Sequence, residues 1–188
     1  TIGGSWRHFR DNAYRTFVVS RNYLNNSAQK YVDNDDSNEA NKLLDYQSTE
    51  AENKLRIEET VRKDDWKINY GAGIEWAEYT TTTFQKLENE VTLNYSSEIG
   101  VFKYGAFGQV SKGVLSERLQ LSLGARMDAN NFNAHMANPL NQFSPRLSAS
   151  YSINQKMAIN FNTGIYYQLP PYTTLGYRNT AGELVNKD

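Results

Sequence analysis

The chain has 188 residues, with 20 basic and 21 acidic side chains and a formal net charge of −1 at pH 7. This balance lacks the strongly basic surface that usually marks a nucleic-acid-binding protein, so we expect no nucleic-acid partner. The chain has no cysteine, which excludes a disulfide scaffold, cysteine-based zinc sites and thiol catalysis. Aromatic residues make up 13% of the chain and argue against disorder, because disordered chains are poor in them.

The first segments of the chain alternate only weakly between apolar and polar residues. Residues 1–9 resemble the end of a strand that began upstream, and residues 13–24 are interpreted as a strand. The contiguous apolar residues Phe17–Val19 leave the facing of that strand unassigned. After a polar connection near 27–45, residues 51–61 alternate weakly and predict a further strand.

The first polar connection contains an acidic run with the sequence DNDDSNE. Its carboxylates, which would be oxygen ligands for calcium, belong to Asp33, Asp35, Asp36 and Glu39. An EF-hand loop needs glycine at its sixth position and a bidentate glutamate at its twelfth. Asn38 and Leu44 occupy those positions. We therefore interpret the run as a solvated acidic loop.

Residues 66–76 show the clearest alternation. Their apolar set is Trp66, Ile68, Tyr70, Ala72, Ile74 and Trp76, and the residues between are Lys67, Asn69, Gly71, Gly73 and Glu75. Ten residues at ~3.3 Å each cover ~33 Å of strand, or ~25 Å of height at a tilt of ~40°. That height equals the apolar band of a transmembrane barrel. We therefore predict that Trp66 and Trp76 lie at the two lipid–water interfaces, where an indole buries its ring and keeps its N–H group hydrated.

The second half of the chain predicts four more strands. Residues 101–115 are less regular, whereas 118–128, 143–154 and 156–169 keep a clear period of two. The apolar face of 101–115 is predicted to carry Phe102, Tyr104, Ala106 and Val110. The aromatic residues predicted to join the two tryptophans in a membrane-interface girdle are Phe143, Tyr151 and Tyr167. The sequence thus predicts eight strands and no long helix.

The connections between these strands alternate in length. Short turns fall near 10–12, 62–65, 115–117 and 154–156, and long polar connections near 27–45, 82–100, 129–142 and from Pro170 onward. All tight turns would then lie at one end of the sheet, as in transmembrane barrels with short periplasmic turns and long extracellular loops. Soluble sandwiches usually have strands of only ~5–6 residues. The pattern predicts an all-β, antiparallel, transmembrane β-barrel segment of about eight long meander strands, lying in the lipid bilayer of a bacterial outer membrane.

Two stretches, 106–128 and 143–177, carry a resemblance to a known family. Their shared features are an aromatic–Gly–Gln strand, the strand end Leu123-Gly124-x-Arg126-x-Asp128, the Phe-Ser-Pro-Arg of 143–146 and the Tyr-x-Leu-Pro of 167–170. In order and spacing they resemble the barrel of TonB-dependent outer-membrane receptors. The resemblance implies a barrel of 22 strands, filled by an N-terminal plug, that imports a scarce ligand such as a siderophore, cobalamin or glycan. It also implies energy relayed by TonB.

The resemblance further implies that residues 1–188 are a partial barrel domain of a larger receptor. We find no plug, TonB-contacting segment or terminal aromatic strand in the sequence, so the plug of the same full-length chain and TonB are partners implied by resemblance alone. One alternative is a complete eight-stranded barrel with a structural or adhesive role. A narrow barrel fills its interior with side chains, whereas many inward positions here are tiny, among them Gly71, Gly124 and Ser148. A second alternative is a soluble β-sheet binding module.

No residue pattern points to catalysis, a metal or a cofactor. No serine lies in a Gly-x-Ser-x-Gly context, and His8 and His135 have no carboxylate at metal-ligand spacing. The predicted lumen-facing residues that would contact a small-molecule or oligosaccharide ligand, or a plug, are Glu75, Arg126, Asp128 and Arg146. An alternative interpretation is that these charges pair among neighbouring strands.

Overall fold

The computed structural model describes residues 1–87, 91–179 and 181–187. Its architecture is one antiparallel sheet of eight strands, which pair in chain order with β1 and β8 at the two ends. The strands are β1 (Ile2–Arg10), β2 (Ala13–Tyr31), β3 (Lys42–Lys63), β4 (Trp66–Lys86), β5 (Thr92–Val114), β6 (Leu119–Asn130), β7 (Phe143–Asn154) and β8 (Met157–Gly164). The predicted eight-stranded meander is confirmed. None of the helices in the described part of the chain is long and apolar enough to cross a membrane.

Tight turns recur at every second connection as predicted, but the β4–β5 connection, which was expected to be long, spans only residues 87–91. Tight turns join β1 to β2, β3 to β4, β5 to β6 and β7 to β8. Longer connections join β2 to β3 and β6 to β7, through residues 32–41 and 131–142. Because consecutive strands are antiparallel, all tight turns lie at one end of the sheet, which we call the short-turn end.

Predicted boundaries are wrong at the long connections and at the end of β8. The connection expected near 27–45 is limited to 32–41, since β2 continues to Tyr31 and β3 begins at Lys42. The long connection expected over 82–100 is mostly strand, since β4 continues to Lys86 and β5 begins at Thr92; residues 88–90 lie outside the described residues. Backbone pairing holds these polar extensions together, for example where Thr82 pairs with Ser96. The last strand, β8, ends at Gly164 rather than at 169. The chain beyond it folds back over the sheet and forms a single helical turn, α1 (Tyr172–Leu175).

The two faces of the sheet differ in chemistry and burial. The face that carries the apolar side chains of residues 66–76 is exposed, with Trp66 at 44% and Trp76 at 41% accessibility; we call it the outer face. The opposite, inner face holds the buried cluster, which consists of Ala77, Tyr79, Ile99, Val101, Phe132, Tyr172 and Leu175. Exposed apolar residues on one face and packing on the other are the arrangement expected of a barrel wall in lipid.

The hairpins are staggered along the sheet. The turn after β1 ends at Ala13, which pairs with Val61, and Val61 in turn pairs with Ile68 of β4. The next hairpin reaches further, to Trp66. The following hairpin reaches further again, to Val114, because Trp66 pairs with Lys112 and the strand continues beyond it. A stagger of about one residue (~3.3 Å) per strand spacing of ~4.8 Å corresponds to a tilt of ~35°. This tilt is typical of transmembrane barrels and brings the short turns to a common level.

Candidate functional site

A network of opposite charges crosses the inner face at mid-strand. Glu75 of β4 pairs in register with Lys54 of β3 and Lys103 of β5. The Nζ atom of Lys103 lies 2.5 Å from Glu75 Oε1, and that of Lys54 lies 3.4 Å from Glu75 Oε2. Glu52 joins the network through Lys54 Nζ at 2.7 Å. Opposite charges directly across neighbouring strands stabilise the pairing, so this network contributes to the stability of the β3–β5 register.

Tyr172 of α1 caps this network. Its hydroxyl donates to Glu52 Oε1 at 2.9 Å, and Lys103 Nζ lies 4.9 Å from the centre of its ring. The ring also stacks on Tyr79, with 6.2 Å between centroids. Burial and the adjacent carboxylates of Glu52 and Glu75 raise the pKa of the Tyr172 hydroxyl. The phenol therefore stays protonated and acts as a donor to the carboxylates.

The chain around Tyr172 is held against the inner face by several further contacts. We call residues 165–179 and 181–187 the inner segment. Leu175 is 1% exposed within the buried cluster, and Arg178 Nε donates to Ser97 Oγ at 3.2 Å. A Cβ atom at Gly176 would lie 2.9 Å from the ring of Tyr79, so glycine permits this close approach. Apolar packing and hydrogen bonds together attach the inner segment to β4 and β5.

A cavity of about 500 Å³ lies beside the inner segment on the same face. Its charged lining consists of Lys54, Arg56, Glu75, Lys103, Arg126 and Asp128. Asn130, Gln142, Tyr167 and Gln168 add neutral polar groups. The lining thus combines four cationic and two acidic side chains with amide and phenol groups, which suits a polar, oxygen-rich ligand.

Arg126 and Asp128 form one wall of this cavity. The Arg126 guanidinium donates through Nε at 2.5 Å and Nη2 at 2.7 Å to the two carboxylate oxygens of Asp128, which is a bidentate pair. The Asp128 carboxylate lies across β5 where a Cβ atom of Gly105 would be. A larger residue at position 105 would occupy this space, so glycine allows the Arg126–Asp128 pair to lie against β5.

The structure brings three of the four predicted lumen-facing residues together. Glu75, Arg126 and Asp128 all line the cavity. Arg146 is not among its lining residues: it pairs with Gly124 in register, and its guanidinium lies over the ring of Tyr166 at 4.8 Å. Glu75 pairs with lysines on the two neighbouring strands, as in the alternative interpretation, whereas Arg126 and Asp128 pair with each other within β6. Contact of these residues with a ligand stays a prediction.

Sequence reasoning missed Lys54, Lys103 and Tyr172. The two lysines occupy positions that the period-two pattern of residues 51–61 and 101–115 places on the inner face, so their facing could have been predicted. Their contact with Glu75 could not, because it depends on the register of three strands. Tyr172 carried no such signal, because it reaches Glu52 across 120 residues of sequence.

Four of the five predicted girdle residues are exposed on the outer face: Trp66, Trp76, Phe143 and Tyr151. Trp76 Nε1 donates to Glu78 Oε1 at 3.0 Å, and Lys112 Nζ lies 4.7 Å from the ring centre of Trp66. Each tryptophan thus combines an exposed ring with a charged neighbour, as expected at a lipid–water interface. Its contact with that interface stays a prediction. Tyr167 is different: it follows the end of β8 and lines the cavity, so its predicted place on an outward strand face is wrong.

The acidic loop between β2 and β3 is ordered by its own hydrogen bonds. The Asp35 carboxylate accepts bonds from the Ser37 backbone N–H at 3.1 Å and from Asn41 Nδ2 at 3.0 Å. The bonds from Ser37 lower the pKa of Asp35. Among the described residues, no group of three or more His, Cys, Asp or Glu side chains is placed to hold a metal ion.

Comparison with known proteins decides the family. The family model described as TonB dependent receptor-like, beta-barrel matches residues 1–187. The chain belongs to this family. Staggered strands, an exposed apolar outer face and alternating turn lengths are thus features of a TonB-dependent receptor barrel.

A solved structure named copper transporter OprC is similar to this receptor barrel, with a TM-score of 0.67 and 17% sequence identity. The match covers 92% of this chain and 32% of that chain, so the barrel described here spans about a third of the other protein's length. At this identity the similarity shows the fold alone. No curated protein has a significantly similar sequence.

Proposed function

We propose that this chain is part of the barrel of an outer-membrane receptor that imports a scarce ligand with energy relayed by TonB. The observation that carries the proposal is the polar cavity on the inner face, beside the inner segment and opposite an exposed apolar wall. A ligand crossing the outer membrane through a receptor of this family would pass that face. No step of this role requires chemistry on the ligand.

The lining of the cavity favours a ferric siderophore among the ligand classes considered, which also include cobalamin and glycans. Lysine and arginine attract the carboxylate or other anionic oxygens of such chelates, and Arg126 offers a planar guanidinium at the cavity wall. A glycan is the next candidate, because the cavity also contains amide and phenol groups suited to sugar hydroxyls.

Uptake by cells that carry the full-length receptor tests this assignment. The probes are iron-55-labelled ferric citrate and ferrichrome, cyanocobalamin and maltohexaose. We expect receptor-dependent and TonB-dependent uptake of a ferric chelate, lowered on the order of tenfold by the double substitution Lys54→Gln and Arg126→Gln, because charged hydrogen bonds to the ligand are lost. The exposed Lys30→Gln on β2 is the matched control. Uptake of no probe, or uptake that is independent of TonB, would contradict the proposal.

We also propose that the chain belongs to a larger barrel that surrounds a plug. Two features support this: the strand order of the described residues ends at β1 and β8, and small inward residues such as Ser148 leave space inside. A complete eight-stranded barrel would instead pair β1 with β8. Cysteines introduced as Ser5→Cys and Asn162→Cys in the full-length protein should therefore form no disulfide. Rapid disulfide formation would favour the small barrel.

A further inference from the structure

A compact charged cluster lies on the outer face near the short-turn end. Glu59 of β3 sits between two arginines and is only 7% exposed. It accepts bonds from Arg15 Nε at 2.9 Å and Arg15 Nη2 at 2.5 Å, and a further bond from Arg10 Nη2. The side chain of Arg15 is 42% exposed on β2, a strand paired on both sides, and that of Arg10 is 49% exposed on the edge strand β1. The carboxylate is therefore enclosed, while the Arg15 guanidinium stays accessible from outside.

Strand register places this cluster on the membrane side of the barrel. Arg15 pairs with Glu59, and Glu59 pairs with Tyr70, which shares the outer face with Trp66. Arg10 pairs with Ala13 at the very end of its hairpin. Short turns of transmembrane barrels lie on the periplasmic side. The cluster therefore lies at the level of the periplasmic headgroups. Trp66, next to the β3–β4 turn, lies at the same level.

The charge and hydrogen bonding of the cluster suit a phosphate group. One carboxylate neutralises one of the two guanidinium groups, so the cluster keeps a net positive charge. In the described part of the chain, Arg10 uses only Nη2 and Arg15 only Nε and Nη2 as side-chain donors. The remaining N–H groups match the planar, two-point geometry with which guanidinium binds phosphate oxygens. Glu59 holds the two arginines in position for such a ligand.

An aromatic surface adjoins the cluster on the side of the membrane centre. Trp6 stacks on Phe17 with 5.5 Å between ring centroids, and these two residues pair across β1 and β2 one outward position above His8 and Arg15. Trp6 is 59% exposed. Cationic groups at headgroup level and an exposed apolar surface above them match a phosphate ester followed by acyl chains. Free phosphate would contact only the cationic groups and leave the apolar surface uncovered.

We propose that Arg10 and Arg15, positioned by Glu59, form a binding site on the outside of the barrel for the phosphate of a periplasmic-leaflet phospholipid, with Trp6 and Phe17 contacting its acyl chains. The same end of the sheet carries two further pairs of a cation and an aromatic ring. Lys112 lies over Trp66, and Arg118 lies over Tyr151 at 5.5 Å. These pairs extend the cationic and aromatic character along the rim.

Native mass spectrometry of the full-length receptor in detergent tests the site, with added dioleoylphosphatidylglycerol as the probe. We expect the wild-type receptor to bind the lipid and the double variant Arg10→Gln and Arg15→Gln to bind it at least about tenfold more weakly. Arg7→Gln is the matched control, because Arg7 lies on the inner face of the same strand, where its Nε donates to Thr16 Oγ1 at 3.2 Å. This control should bind the lipid like wild type.

Two competitors identify the ligand. Dioleoylglycerol, which lacks the phosphate, should bind much more weakly than the phospholipid, and millimolar inorganic phosphate should displace little of the phospholipid. Equal binding of the diacylglycerol, or unchanged phospholipid binding by the double arginine variant, would overturn the proposal. Displacement by inorganic phosphate at low concentration would overturn the lipid assignment and favour a free-phosphate site. The readout does not depend on the imported ligand, so it stands apart from the transport test.

Discussion

The two halves of β4 show how one strand serves two environments. From Trp66 to Trp76 the apolar side chains point to the outer face and are exposed, while Gly71 and Gly73 occupy the inner face. From Ala77 to Lys86 the period of two continues, but the faces exchange character. Glu78 and Thr80 point outward, and Tyr79 is buried on the inner face at 1% exposure.

This exchange is expected where the wall of a transmembrane barrel leaves the bilayer. Apolar residues favour an outer face that meets lipid. They favour the inner face where the outer face would meet water and the inner segment covers the inner face. We therefore predict that the extracellular boundary of the apolar band lies at Trp76. Substitutions on either side of Trp76 test this boundary.

The largest effect is expected for a charge placed in the middle of the lower outer face. Ala72→Arg should destabilise the full-length receptor in lipid vesicles by ~2–4 kcal/mol, because a guanidinium would face the bilayer midplane. Urea-dependent unfolding measures it. The control is Ser148→Arg, an equally small residue on the inner face of β7 and at the same distance along its strand from the hairpin end. Equal losses for both variants would contradict the assignment of faces.

The next effect concerns the buried upper half. Leu175→Ala should weaken attachment of the inner segment by ~2–3 kcal/mol, because it leaves a cavity beside Tyr79. Hydrogen–deuterium exchange of the inner segment in the full-length receptor should increase, while exchange of β4 changes little. Thr173→Ala, at an exposed position of α1, is the control. Unchanged exchange in the Leu175 variant would show that the segment is not held by this packing.

A smaller effect is expected where the two halves meet, in the network around Glu75. Lys103→Gln should cost ~1–3 kcal/mol, because Glu75 and Glu52 then lose a partner in a half-buried setting. A double-mutant cycle with Glu75→Gln measures the coupling by urea unfolding. We expect the two substitutions to be clearly non-additive. Simple additivity would mean that the ion pair contributes nothing to stability.

The smallest effect is expected at the boundary residue itself. Trp76→Phe keeps an aromatic ring and loses the N–H donated to Glu78, which should cost ~0.5–1 kcal/mol. The unfolding midpoint in lipid vesicles is the measurement. In a Glu78→Ala background the same substitution should have almost no further effect. A loss of the same size in that background would mean that the indole acts through some other contact.

The fold class could be predicted from the sequence because strand periodicity and turn length are local properties. Residues 66–76 predicted most of the lower part of β4, and 143–154 match the bounds of β7. The prediction failed over 82–100 because the apolar residues change face at Trp76. One continuous apolar face ends at Trp76. Beyond it, Tyr79, Ile99 and Val101 keep the period of two, but they lie on the inner face.

The candidate site could be predicted only in part. Glu75, Arg126 and Asp128 could be assigned to the inner face, because they occupy polar positions in strongly alternating strands. Arg146 has the same parity but lies away from the cavity, because strand parity gives a face and not a position along it. Tyr167 was placed on the wrong face, since nothing local showed that β8 ends at Gly164.

Local sequence is enough to predict the alternating strands, the tight turns and the apolar alternation between Trp66 and Trp76, because each depends on residues close together in the chain. The charges that meet one another cannot be predicted in this way. Glu59 and Arg10 are 49 positions apart, and Tyr172 and Glu52 are 120 apart. Such contacts depend on the register of several strands and on the path of the chain after β8. Those are set by the free energy of the whole sheet rather than by any one segment.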